Sequence, residues 1–223
     1  MRTKLLIMFL LIAAFTVSAQ QKDSIITTRV FSITPLPNRI DKVNGLALGL
    51  GHYSFKDKIK MHTVNGLNIE INPVSPLIVL FQDVNYVPND TISVVLNGLH
   101  ISTGGFSGGA VLNGMGISLY NVGIKSSGFT VNGLYSATKQ LDGLHISGIG
   151  NKAEAATGVL IAAVNGIGSC KGVFVGAFNI TNDIKGIQVG LVNISQKAKG
   201  VQIGLWNKNN KRSLPFINWN FKD

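Results

Sequence analysis

Hydrophobic positions in this chain alternate in short runs, and the runs recur every fourteen or fifteen residues. The pattern is cleanest at 171–207, where KGVFVGAFN, IKGIQVGLVN and KGVQIGLWN are separated by polar intervals. Each copy is Gly, aliphatic, any residue, aliphatic, small residue, aliphatic, any residue, Asn. From Gly114 onward the opening glycines stand at 114, 128, 143, 158, 172, 186 and 200. The closing Asn recurs at 121, 165, 179, 193 and 207. Looser copies begin at Asn44-Gly45, Asn65-Gly66 and Asn97-Gly98. Self-similarity at a fixed period is the mark of a repeat architecture.

Within a copy the period is two. Val201, Ile203 and Leu205 fall on one face, Gln202, Gly204 and Trp206 on the other. Strict alternation with β-branched residues predicts strands, and a Gly in mid-copy weakens any helix by about 1 kcal/mol. The intervals Thr181-Asn182-Asp183 and Ser195-Gln196-Lys197-Ala198 carry turn chemistry. The expected fold class is therefore all-β: 14–15-residue strand-turn repeats, paired as an antiparallel meander. The alternatives are a β-roll or solenoid with two units in each coil of about 28 residues, or two packed sheets.

Three aliphatic side chains per copy gain about 1.5–3 kcal/mol each when buried, too little to offset the ordering of a lone unit. The units must associate and cover that face. One cover is lipid: the meander closes as an outer-membrane β-barrel, with the Val/Ile/Leu face outward and the Gly/Gln/Ser face lining a narrow interior. The other is protein: the aliphatic faces meet in a dry core, and asparagines at equivalent strand ends stack as hydrogen-bonded ladders. Against a barrel, the chain ends on Asn220-Phe221-Lys222-Asp223 and its aromatics form no consistent girdle.

Composition narrows the class. The chain has 223 residues, 26 of them Gly, with 13% charged residues and a formal charge of +10. Low charge density and high Gly argue against a nucleic-acid binder. Residues 1–19 have the form of a signal peptide: Arg2 and Lys4, the apolar run 5–15, then Val17-Ser18-Ala19. That leaves residues 20–223 as a single β-repeat domain, most regular at 113–207. The expected localisation is export, then the outer membrane or cell surface, with periplasm or secretion as the alternative. A strand is predicted over 24–32, and an extra strand or long loop over 73–90.

Candidate chemistry is sparse. His100/Ser102 and His145/Ser147 recur in the phrase Gly-Leu-His-Ile-Ser, as a base and nucleophile or a set of metal ligands would. Alternation by two and duplication of the repeat give the same coincidence. His52 and His62 have no partner pattern. Glu70 faces away from Leu67, Ile69 and Ile71, toward a polar interior or solvent. Asp142 takes the place of Asn before Gly143. Cys170 is a lone thiol set in a turn. Gly104 to Gly109 lacks the helix and Lys-Ser/Thr of a phosphate loop, and the sequons at Asn179 and Asn193 are the closing Asn of the repeat. The expectation is no catalytic, metal or cofactor site, with envelope components as partners and no nucleic acid or small-molecule substrate.

VNGLNIEIN, IKGIQVGLVN, AKGVQIGLWN and the ending Leu214-Pro215-Phe216-Ile217-Asn218-Trp219 resemble the NGLQIGLVN-type surface-repeat proteins of Gram-negative bacteria over residues 43 to 220. The resemblance implies export and a place in the cell envelope, and brings no catalytic residues. Some members resemble lipoproteins; here the lipid-bearing Cys is missing. The function these observations favour is a non-enzymatic envelope protein with a structural or interaction role. An exported soluble β-roll that binds a glycan or surface component is the alternative, and an envelope hydrolase a minor one.

Overall fold

The computed structural model describes residues 27–52, 60–72, 91–106 and 109–221. The leader and the segment 73–90 lie outside the described residues. Among them every regular element is a strand: β1 (Thr27–Thr34), β2 (Ile40–Gly49), β3 (His62–Glu70), β4 (Val94–Ser102), β5 (Gly105–Phe106), β6 (Ala110–Ser147), β7 (Gly150–Ile161), β8 (Val164–Val175), β9 (Phe178–Val189), β10 (Val192–Lys208) and β11 (Ser213–Asn220). The predicted strand at 24–32 corresponds to β1.

The pairing corrects the expected antiparallel meander. Successive copies pair in parallel with identical positions opposed, so Gly172 pairs Gly186 and Gly186 pairs Gly200. The sheet runs β1-β2-β3-β4-β6-β7-β8-β9-β10-β11. Two-residue hairpins cannot join parallel strands; the chain instead travels once around a narrow coil and returns one strand further along. The result is a β-solenoid with one copy per coil, not two, and a closed barrel is not indicated. The intervals 45–66 and 66–98 are longer than a copy, yet Gly45, Gly66 and Gly98 still pair in register. Only β11 departs, pairing antiparallel with β10.

The opening glycines form the spine. From Gly45 to Gly200 all ten have φ between 119° and 150°, a region that side-chain-bearing residues rarely adopt. A Cβ on Gly186 would also meet the carbonyl oxygen of Gly172, and one on Gly200 that of Gly186. Glycine is thus required twice over, by dihedral and by stacking.

The aliphatic face expected to meet in a dry core is turned the other way. The +1 and +3 aliphatics point outward: Ile187, Val189 and Ile203 are all exposed. The interior takes the position two before the Gly (Val43, Val64, Leu96, Leu112, and later Leu141, Ala156, Cys170, Ile184, Ala198), the residue two after it, and the closing Asn. A coil of this length encloses too little space for three bulky side chains from each arm. Single apolar residues such as Leu141, Leu160 and Phe174 alternate there with flat amides.

Amides lock the coils together. Asn151, Asn165, Asn179, Asn193 and Asn207 donate each to the next through Nδ2···Oδ1 distances of 3.0, 2.9, 2.8 and 2.7 Å. The second Nδ2 hydrogen goes to a corner carbonyl ten residues on, as from Asn179 to Val189 at 3.0 Å. Gln202 donates to Gln188 at 2.8 Å, and Asn218 of β11 donates to Gln202 at 3.2 Å, closing the column. Toward the N-terminus a second ladder links Asn44, Asn65, Asn97 and Asn113 just before their glycines. The expected ladders are therefore present, at two positions in the repeat. Beside Asn218, Arg212 stacks 4.5 Å over the Trp219 ring and donates to Asn218 Oδ1 at 3.0 Å, laying a cation against the last strand, a common defence against further edge pairing.

Two glycines separate spine from filler. Gly186→Ala is expected to lower stability by about 3 kcal/mol. Gly166→Ala, where a Cβ meets nothing within 4 Å, is expected to be neutral or to stabilise by about 0.5 kcal/mol. Denaturant midpoints of the two variants check this ordering.

Candidate functional site

The polar interior concentrates its titratable groups in the first coils. β3 and β4 carry Asn68 and His100 at the same position, two after their glycines, and both point inward. Asn68 Nδ2 lies 2.9 Å from Glu70 Oε1 and 2.7 Å from His100 Nδ1. His52, just past β2, brings Nε2 to 3.1 Å from Glu70 Oε1, an approach outside hydrogen-bonding angles. Glu70 thus faces the interior, the first of the two orientations its alternation allowed.

Burial sets the protonation of this cluster. It pushes the Glu70 carboxyl up to about 7, against the pull of the Asn68 amide. It pushes His52 down to about 4, helped by the nearby charge of His62, and His100 down to about 3. Near neutrality the cluster is a carboxyl poised between its two protonation states beside two neutral imidazoles. That is a set of groups able to hold and pass protons, yet Glu70 and His100 are only 2% and 1% exposed.

The two His/Ser pairs fall on the interior face, as spacing by two requires. His145 Nδ1 lies 2.8 Å from Thr130 Oγ1, and Ser147 Oγ donates to Asn151 Oδ1 at 2.7 Å. Ser102 Oγ accepts from the Gly104 amide at 3.2 Å. In neither pair is the serine held by its histidine through these bonds, and all four residues are buried. Their recurrence follows from the repeat. His62 Nδ1 lies 2.8 Å from the Ile40 carbonyl oxygen. Asp142 ion-pairs with Lys125 at 3.1 Å. Cys170 is not in a turn but in the interior column of β8, where burial pushes its thiol up to about 12. Asn179 and Asn193 are fully buried in their ladder. Among the described residues no group of three His, Cys, Asp or Glu is placed to hold a metal ion.

The outer surface offers concavities of another kind. A groove of about 650 Å³ runs over β7, β8 and β9, lined by Leu134, Tyr135, Ile149, Val164, Ile167 and Ile180, with Gly166 and Gly168 making its floor shallow. Its lining is mainly apolar. The sequence held no direct sign of it, because it arises where Gly166 interrupts an outward column that carries Ile180 and Ile194 in the coils beyond. Comparison of the chain with protein-family models, curated proteins and solved structures gave no match.

Protonation of the interior cluster gives a pH prediction. A folded pKa raised to about 7 means that Glu70 removes stability as pH rises from about 4.5 to 7, by up to about 3 kcal/mol. The depressed histidines act the other way: their contribution is full above pH 6.5 and is lost as pH falls toward 4 and 3. Glu70→Gln should match the parent near pH 4.5 and exceed it by roughly 2–3 kcal/mol at pH 8. Thermal melts of both proteins across that range check the sign.

Proposed function

We propose that this chain is a non-enzymatic protein of the cell envelope, exported by its N-terminal segment and working as a surface-associated structural or interaction element. The observation that carries this reading is the inverted patterning of the solenoid. Amides are satisfied inside, while Ile, Val, Leu and aromatic side chains cover much of the outside. Soluble monomers seldom expose contiguous apolar areas beyond a few hundred Å², and here outward aliphatics stack at equivalent positions in coil after coil. An apolar envelope layer is the environment in which such a surface is stable. The resemblance to envelope surface-repeat proteins and the signal-like leader point the same way. Among the described residues no helix is long and apolar enough to cross a membrane.

An exported soluble binding module is the second reading. It is favoured by the half-exposed indoles of Trp206 and Trp219, flat surfaces of the kind that stack on sugar rings.

Cell fractionation separates the two. The envelope reading expects the protein to sediment with the outer-membrane fraction and to need detergent for release. Recovery in the periplasm or medium without detergent would replace it with the soluble module.

A further inference from the structure

In cross-section each coil has two unlike corners. One lies inside β8, β9 and β10, where residues 168, 182 and 196 drop out of the pairing register, so the intervals read as turns from the sequence are breaks within strands; it carries Ser169, Lys171, Asp183, Lys185, Lys197 and Lys199. The opposite corner is Gly176-Ala177, Gly190-Leu191 and Gly204-Leu205. Turns exposed to water are ordinarily polar. Here Leu191 is 51% and Leu205 62% exposed, and the equivalent corners of earlier coils present Leu50, Ile71 and Ile149. A concavity of about 690 Å³ lies on this corner, lined by Val175, Val189, Leu191, Ile203, Leu205 and Phe216.

The lysines are ordered as well. Lys171, Lys185 and Lys199 oppose one another in register, so three ammonium-bearing chains rise about 4.8 Å apart along one edge. This row replaces the amide ladder that Asn44, Asn65, Asn97 and Asn113 form at the same position in the earlier coils. From the row to the apolar corner an arm of the coil spans roughly 15–20 Å. Long lysine side chains lie along apolar surface while keeping the charge in a polar layer.

We infer that the rod lies on an anionic lipid bilayer, with the Leu191/Leu205 corner among the acyl chains and the Lys171-Lys185-Lys199 row at the headgroup phosphates. With the arm between them lying along the bilayer surface, the apolar corner seats about 5–10 Å into this boundary while the basic row stays at headgroup level and adds attraction to anionic lipid. A second copy related by a two-fold axis along the strands covers the flank less well. Such an axis would set one lysine row against the other, and like charges so placed disfavour the pairing. A phosphate layer matches both the apolar corner and the charge. The inference deepens the envelope reading by naming the surface and its orientation.

The test is co-sedimentation of the purified chain, lacking residues 1–19, with phosphatidylcholine vesicles with and without about one third phosphatidylglycerol. The parent should bind the anionic vesicles about tenfold more tightly. The double variant Leu191→Asp/Leu205→Asp should lose binding to both vesicle types. Lys171→Gln/Lys185→Gln/Lys199→Gln should keep weak binding and lose the anionic preference. Circular dichroism confirms that each variant keeps its sheet content. A folded parent that stays in the supernatant overturns the inference, as does a corner variant that binds like the parent. A parent that is dimeric by sedimentation velocity and ignores vesicles assigns the flank to a second copy. Envelope fractionation is read independently, so a protein that fractionates with the envelope but ignores vesicles refutes the orientation alone.

Discussion

Everything in this solenoid depends on one close approach: backbone stacked on backbone along the glycine spine. At each opening glycine the carbonyl of the previous coil occupies the space a side chain would need, and φ lies where only glycine is comfortable. That approach keeps copies in register, since slipping by one residue would put an aliphatic into the column. Register in turn aligns like with like: Asn on Asn, Gln on Gln, Lys on Lys.

Alignment of identical residues explains why amides fill the interior. An amide has both a donor and an acceptor, so one column of Asn can satisfy itself without limit. Asn179 receives from Asn165, gives to Asn193, and gives its other hydrogen to the Val189 carbonyl. A carboxylate there would have no hydrogen to give, and an aliphatic would leave buried partners unmet, each at a cost of about 1–3 kcal/mol. Where the column ends, β11 turns antiparallel and Asn218 closes it. The lysine row shows the converse: like charges tolerate alignment only where they can reach a polar layer.

The repeat, its period, its strand character and its Asn ladders were all legible in the sequence, because each is a property of one copy or of its spacing. Pairing direction was not. Gly172, Gly186 and Gly200 are equally compatible with a hairpin series and a coil until it is known that their dihedrals are left-handed and their carbonyls stacked. Nor did hydrophobicity reveal which face is inside. Val201 and Ile203 look like core residues, yet the narrow coil admits Gln202 between them and turns both outward. The two positions that do face inward, two before and two after the glycine, are occupied by residues as different as Leu141, Ala156, Cys170 and Ile184, or Leu160, Phe174 and Gln188, and so carry little signal. The Glu70–Asn68–His100 cluster depends on coils 32 residues apart in sequence, a juxtaposition set by the 66–98 interval and not by any local motif.

Thiol accessibility along one strand tests the inversion most directly. In a Cys170→Ala background, single cysteines at Ile187, Gln188 and Val189 would be challenged with a small uncharged thiol reagent in the native state. The structure predicts rapid labelling of Ile187→Cys and Val189→Cys and protection of Gln188→Cys, whose parent side chain is 0% exposed. Protection at 187 and 189 with labelling at 188 would place the aliphatic face inside and contradict the account.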